Sequence, residues 1–509
     1  MQYGNSMRNL STTLILAIAV IATRLPFTSK YLFNMDSVQF ALATGKFDVA
    51  LHQPHPPGYF LYVMMGRFFL SFTGDENTAF VAISIISSSM AVVAVYMLAS
   101  ELYTVETGLA AAAIAVTSPL FWMHGEVALS YMPEALMSAL FAYICLRMLR
   151  GEGGLYWVAA VTLAVAGGIR QNTMVFLLPL WLYSMKGLGL RRVMSSLAIF
   201  GAALAAWFVP MLHMTGGYER YSAALKAHWQ SVGDQVINLK WIMHNGYYMS
   251  VFMFWGLGIS IALLAAAAYF RVRKLIKWPE TETIVFLSFW LLPSILFHLI
   301  IFTASIVPGY SLIYMVGFFV VTGRALTAIP EALPRITPEA ALRLKVIALS
   351  LVMAVNAIIF MTNENVMGLK IIKDHDRLVS RYIDVVRNNF SPADTEIIGS
   401  NRYYLNFRHA MYYFPEYRVH DTSIISAPGG PHIFKGEGRL TGVEKEIIFQ
   451  PGTRHFVDFV NYSRADLPGL PEKARVIDLP GDNILVYYDD VAALEKVGRV
   501  APFLGKGEL

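Results

Sequence analysis

Cysteine occurs once in the 509 residues, at Cys145. One thiol excludes an internal disulfide and any cysteine metal cluster. Charge is also scarce: Asp, Glu, Lys and Arg make up 15% of the chain, against about 25% in a soluble globular domain. No internal repeat and no low-complexity tract stands out. The basic residues that give the net charge of +5 are scattered among loops and build no groove for nucleic acid. After the apolar run Leu14–Ala22, Thr23-Arg24-Leu25-Pro26 makes a poor cleavage site, so an uncleaved first helix is expected.

Apolar residues, in contrast, are abundant: 56% of the chain, with a mean hydropathy of +0.50. Lipid is the solvent for most of such a chain. A span needs about 20 mostly apolar residues, and window reading places about eleven crossings between Leu10 and Met361. Two of them, Tyr156–Gly168 and Met174–Ser184, are short and share the polar turn Gly167-Gly168-Ile169-Arg170-Gln171-Asn172, as in a helical hairpin or re-entrant pair. Arg147, Arg150, Lys186, Arg191, Arg192, Arg271, Arg273, Lys274, Lys277, Arg324, Arg335, Arg343 and Lys345 all fall on one side of this arrangement. That side is expected to be cytoplasmic, with the N-terminus on it. Arg24, Lys30, Lys46 and Arg67 dissent from the opposite side.

The fold class expected is an α-helical polytopic membrane protein with a small C-terminal α/β domain outside the cytoplasm. The boundary is placed between residues 1–362 and 363–509. Past it, turn signals return (Ser391-Pro392, Pro428-Gly429-Gly430-Pro431, Pro480-Gly481-Asp482-Asn483). Strand-like runs follow at Thr395–Ser400, Glu446–Gln450, His455–Asn461 and Asn483–Asp489, with a tyrosine-rich helix near Asn401–Phe414.

The informative stretch follows the first span. Asp36 opens a short amphipathic helix, with Val38, Ala41 and Leu42 on one face and Gly45 ending it. His52-Gln53-Pro54-His55-Pro56-Pro57-Gly58 makes a turn, and a second apolar helix runs from Tyr59 to about Phe72. Two roles are open to Asp36: capping the helix at Ser37 or presenting a carboxylate to chemistry.

Over Asp36–Tyr62, and in topology over Leu10–Met361, the chain resembles the GT-C glycosyltransferases of the protein O-mannosyltransferase and aminoarabinose-transferase type, which use polyprenyl-phosphate donors. Asp36 matches the acidic position of their first external loop. His55-Pro56 matches the basic residue before proline, and Gly58-Tyr59 the start of the second helix. A second aspartate, frequent in relatives within an Asp-Met-Pro-like context, is absent: Tyr131 stands there, before Met132-Pro133-Glu134.

The resemblance implies sugar transfer from a polyprenyl-phosphate carrier to an acceptor hydroxyl of a glycan, lipid or protein. The reaction would take place at the outer face of the cytoplasmic membrane, with inversion and with neither metal nor cofactor. Asp36 is then the base or orienting carboxylate, with Glu126 and Glu134 as candidates for the second acid. A phosphate leaving group calls for cationic and hydrogen-bonding side chains. The candidates for that binding role are His55, Tyr59, Arg170, Gln171, Lys226, His228 and Tyr310. Each has a plainer use: Arg170 can snorkel, the two glutamates can cap helices, and Tyr310 can open a span. A transporter or flippase for a lipid-linked sugar is the alternative, although no matched halves and few mid-span charges support it.

Overall fold

The computed structural model describes residues 2–233, 237–276, 279–303, 307–333, 336–364, 367–399, 405–421, 432–435, 439–443, 452–470, 472–479 and 481–489. The expected strand Glu446–Gln450, the turn Pro428–Pro431, the start of the tyrosine-rich helix at residues 401–404, and Lys277 and Arg335 lie outside these residues.

The helices, in chain order, are α1 (Gln2–Arg24), α2 (Met35–Gly45), α3 (Phe60–Thr73), α4 (Glu76–Leu102), α5 (Val105–Thr117), α6 (Pro119–His124) and α7 (Tyr131–Leu149). There follow α8 (Tyr156–Ile169), α9 (Gln171–Ser184), α10 (Leu190–Thr215), α11 (Tyr218–Gly233), α12 (Leu239–Leu257), α13 (Ile261–Val272) and α14 (Thr281–Leu296). The last are α15 (Leu312–Glu331), α16 (Pro338–Thr362), α17 (Leu369–Asn389) and α18 (Phe407–Tyr413). The strands are β1 (Thr395–Gly399), β2 (Arg418–Asp421), β3 (His432–Lys435), β4 (Arg439–Val443), β5 (His455–Ser463), β6 (Arg475–Asp478) and β7 (Asn483–Tyr488).

Among the described residues, eight helical stretches are long and apolar enough to cross a membrane, and three shorter apolar helices (Phe60–Thr73, Val105–Thr117, Gly153–Ile169) accompany them. The expectation of about eleven crossings therefore meets eight stretches that qualify by length and composition. One of these, Leu239–Val272, contains a 3₁₀ turn at Gly258–Ser260 between α12 and α13. The chain is a multi-pass membrane protein.

It divides into two compact units. The first comprises Met1–Ser29, Asp48–Ala50 and Pro56–Ile372, and the second Lys30–Phe47, Leu51–His55 and Lys373–Leu509. In the first unit α4 packs against α7, α5, α1 and α3, and α15 packs against α5 and α7. The apolar window of the α15 stretch is 78% buried and that of α10 only 11%, so α15 belongs to the interior of the bundle and α10 to its lipid-facing rim.

The second unit is a seven-stranded sheet in the order β4-β3-β2-β1-β5-β7-β6. β1 runs parallel to β2 and β5, and the outer pairs are antiparallel. Strand alternation sends Ile397 to one apolar cluster and Ile398 to the other. The larger cluster receives Val379, Tyr382 and Val386 of α17 and Phe407, Ala410 and Met411 of α18. Tyr31, Leu42 and Leu51, from the stretch after the first span, pack on the same cluster. Three of the expected strands coincide with β1, β5 and β7. Helix α17 escaped the sequence reading, although Val379, Tyr382, Val385 and Val386 recur at helical spacing along it.

Candidate active site

In the second unit, the sequence Asn34-Met35-Asp36-Ser37 decides which side chain starts α2. Asn34 does: its Oδ1 accepts the Ser37 backbone N–H at 3.0 Å and the Ser37 hydroxyl at 3.2 Å. Asp36 is therefore not the cap. It lies in the first turn, where the helix dipole favours a negative charge. His55 Nδ1 stands 3.7 Å from Asp36 Oδ1, with the two side chains 13% and 14% exposed. The His55 ring tilts on Phe40 at a 5.6 Å centroid distance. A carboxylate beside an imidazole, each with a little solvent access, can accept and pass on a proton.

A different cluster forms in the first unit. α8 ends at Ile169, Arg170 is extended (φ −153°, ψ 113°) and α9 starts at Gln171. The polar turn of the hairpin is thus a single residue wide. Arg170 does not snorkel: its side chain is 3% exposed and pairs with Glu134, also 3% exposed, at 3.4 Å. Glu134 also accepts the Thr173 hydroxyl at 2.8 Å. The guanidinium carbon lies 4.5 Å from the ring centre of Tyr310, 4.7 Å from Tyr131 and 5.7 Å from Tyr59, all within cation–π range. Where the resemblance expects a second aspartate, Tyr131 thus offers the arginine a ring face. Gly309 lets the 3₁₀ turn Pro308–Ser311 approach: a Cβ there would sit 2.4 Å from the Tyr131 ring and 2.7 Å from His124.

Tyr59 enters this cluster at a conformational cost. It starts α3 in the left-handed region (φ 45°, ψ 40°), which costs a non-glycine residue about 1–3 kcal/mol. Gly58 before it has φ 125°, and a Cβ there would stand 2.8 Å from Met211 Sδ. The Pro57 carbonyl accepts Gln171 Nε2 at 3.0 Å and the Tyr221 hydroxyl at 3.2 Å. Gln171 thus holds the turn that presents Tyr59. Gln171 also edges an apolar groove of about 210 Å³ formed with Met174, Leu204, Trp207 and Phe208.

The other candidates disperse. Glu126 is fully buried and accepts Trp122 Nε1 at 2.6 Å; the Trp122 ring also stands 4.6 Å from the Arg24 guanidinium. Lys226 and His228 ride on α11, the first exposed and the second half-buried. Sequence reasoning overlooked three contributors. Asn34 could have been found from its place three residues before Ser37. Thr173 could have been found as the third residue after Arg170. Tyr221 carried no local signal. Among the described residues, no group of three or more His, Cys, Asp or Glu is placed to hold a metal ion.

Residues 54–213 match the family described as dolichyl-phosphate-mannose-protein mannosyltransferase. Among solved structures the chain is similar to ArnT from Cupriavidus metallidurans bound to undecaprenyl phosphate. The TM-score is 0.55 at 11% identity, covering 97% of this chain and 99% of that one. The apo state of the same protein gives 0.53 at 12% identity, over the same shares. The chain has a GT-C fold. The GT-C likeness seen over Asp36–Tyr62 therefore extends along nearly the whole length. A weaker likeness, TM-score 0.49 at 12% identity over 96% of this chain and 74% of that one, is to the archaeal oligosaccharyltransferase AglB from Archaeoglobus fulgidus. No curated protein matches the sequence.

Proposed function

We propose that this GT-C protein transfers a sugar from a polyprenyl-phosphate carrier to an acceptor hydroxyl at the outer face of the cytoplasmic membrane, with Asp36 as the base. The acceptor oxygen bonds to the anomeric carbon. The bond from that carbon to the phosphate oxygen breaks, and its electron pair leaves with polyprenyl phosphate. The acceptor proton passes to the Asp36 carboxylate. One displacement of this kind inverts the anomeric centre. The N-terminus is cytoplasmic in this reading and the second unit is extracytoplasmic.

The observation that carries the assignment of Asp36 is the Asn34 cap. Asp36 does not cap α2 and stands 3.7 Å from the His55 imidazole, an arrangement in which a carboxylate can take up a substrate proton. The lipid-phosphate donor is supported by the family match over residues 54–213 and by the likeness to a protein solved with undecaprenyl phosphate. His55 is assigned to orient Asp36 and to meet negative charge on the donor. Arg170, screened by Glu134 and three tyrosine rings, is assigned to the phosphate end of the donor, with Tyr59 and Tyr310 beside it. Gln171, expected to bind substrate, also supports the turn before α3 through the Pro57 carbonyl.

The test is transfer of a radiolabelled sugar from polyprenyl phosphate in membranes. Asp36→Asn is expected to lower the rate by about 10²–10⁴-fold, the range of general-base help, at an unchanged level of inserted protein. Full transfer by that variant would remove Asp36 from the mechanism.

A further inference from the structure

In the second unit, Lys30, Tyr31 and Leu32 pass through a stretch with no helix or strand, yet four of their backbone polar groups are bound by side chains. The Lys30 and Tyr31 amides donate to the two carboxylate oxygens of Asp376, at 2.9 and 3.2 Å. The Leu32 amide donates to the Tyr413 hydroxyl at 2.9 Å. The Leu32 carbonyl takes Nε2 of both His375 and His409, at 3.0 and 3.2 Å. A carbonyl has two lone pairs and can accept from two donors. With the carbonyl as acceptor, each histidine carries a proton on Nε2, and Nδ1 of His409 faces Asn406 Oδ1 at 3.2 Å.

Three further observations make this a built device. Leu32 and Phe33 are buried, at 0% and 3% exposure, and Phe33 packs on the His375 ring at 5.1 Å. The donors and acceptors come from two helices, α17 for His375 and Asp376 and α18 for His409 and Tyr413. Immediately downstream, Asn34 caps α2, and α2 packs on α18. Asp36 is four residues from the doubly bonded carbonyl.

We propose that His375, Asp376, His409 and Tyr413 are positioning residues for Asp36: by fastening the backbone of Lys30–Leu32 they fix where α2 starts and hence where its carboxylate points. The proposal rests on the transferase reading for its kinetic consequence, but not for its structural one. It gives the C-terminal sheet unit a part in placing the base. A base must be held to within about 0.5 Å to be effective. A loop whose amides were bonded to water would not hold it so.

The experiment uses the full-length protein in detergent or membranes and two mild variants, Tyr413→Phe and Asp376→Asn. Amide hydrogen exchange is followed over residues 30–45 alongside sugar transfer. Expected are faster exchange at residues 30–32 and in α2, with α4 and α15 unchanged. kcat should fall by about 10- to 100-fold, the scale of a misplacement on the order of 1 Å, while the donor KM holds within about two-fold. Asp376→Glu should recover part of the loss. Unchanged exchange in both variants overturns the proposal. So does faster exchange with full kcat in a protein whose Asp36→Asn variant is inactive. If Asp36→Asn itself keeps full transfer, the assignment of Asp36 as the base fails instead, and the exchange profile alone then decides whether the clamp places α2.

Discussion

Arg170 and Glu134 face each other at 3.4 Å inside the helical bundle, each with 3% of its side chain exposed. Thirty-six positions apart in sequence, they come together because α8 and α9 break at one residue while Glu134 sits in the first turn of α7. Breaking such a pair from one side leaves a buried charge uncompensated, at a cost of about 3–5 kcal/mol. Glu134→Ala is accordingly expected to unfold at clearly lower temperature than the parent protein in detergent. Arg170→Met combined with Glu134→Leu should recover most of the loss. Thermal unfolding of the single and double variants checks this.

The cap of α2 is separable from the carboxylate it positions. Asn34→Ala removes the acceptor for the Ser37 amide and should cost about 0.5–2 kcal/mol of local stability. Sugar transfer should decline although Asp36 is untouched, and Asn34→Asp or Asn34→Ser should restore it. Full transfer by Asn34→Ala would mean that α2 holds its place without the cap.

Gly58 is the most constrained point of the turn before α3. Any side chain there meets Met211 Sδ at 2.8 Å and must adopt φ 125°. Gly58→Ala is expected to lose more than about 1 kcal/mol, because the backbone conformation is open to glycine alone. Purified yield and unfolding temperature report it. A second substitution, Met211→Ala, should relieve the contact but not the backbone strain, so only partial recovery is expected.

The paired histidines give the second unit an acid limit. Burial pushes His375 down to about 4, and burial together with the neighbouring His375 pushes His409 down to about 3. Around them stand Asp376, Asn406, Tyr413 and the Phe33 ring. Both values lie below the ordinary histidine value of 6.5. Above pH 6.5 the rings are neutral whether folded or not, and their contribution to stability is complete. As the pH falls from 6.5 towards 4 and then 3, the unfolded chain takes up protons that the fold refuses, and stability is lost. Unfolding temperatures recorded between pH 7.5 and pH 4.5 should decline, and His409→Gln should flatten that slope.

Much of the first unit was legible in the sequence because lipid imposes a local rule. Each apolar stretch of sufficient length declares itself, and the break at Arg170 declares itself by polarity. α2 and the start of α3 were legible from Gly45, Gly58 and the helical spacing of Val38, Ala41 and Leu42. The candidate residues were a mixed set. Tyr59, Glu134, Arg170 and Tyr310 meet in one cluster, while Lys226 and His228 ride on α11 and Glu126 is buried against Trp122. Proximity along the chain could not sort these, because the contacts of Arg170 join segments tens of residues apart, whereas Glu126 meets a ring only four positions away.

By itself the sequence determined that this protein lives in a membrane, where its helices break, and that a carboxylate and an imidazole flank the turn after the first span. Those properties are additive over neighbouring residues. Only the tertiary structure decided that Tyr59, Glu134, Arg170 and Tyr310 share one cluster. It alone joined Lys30–Leu32 to α17 and α18, more than 340 positions away. A backbone amide has no preferred partner until packing has excluded water from around it, and that packing comes from side chains on helices far along the chain.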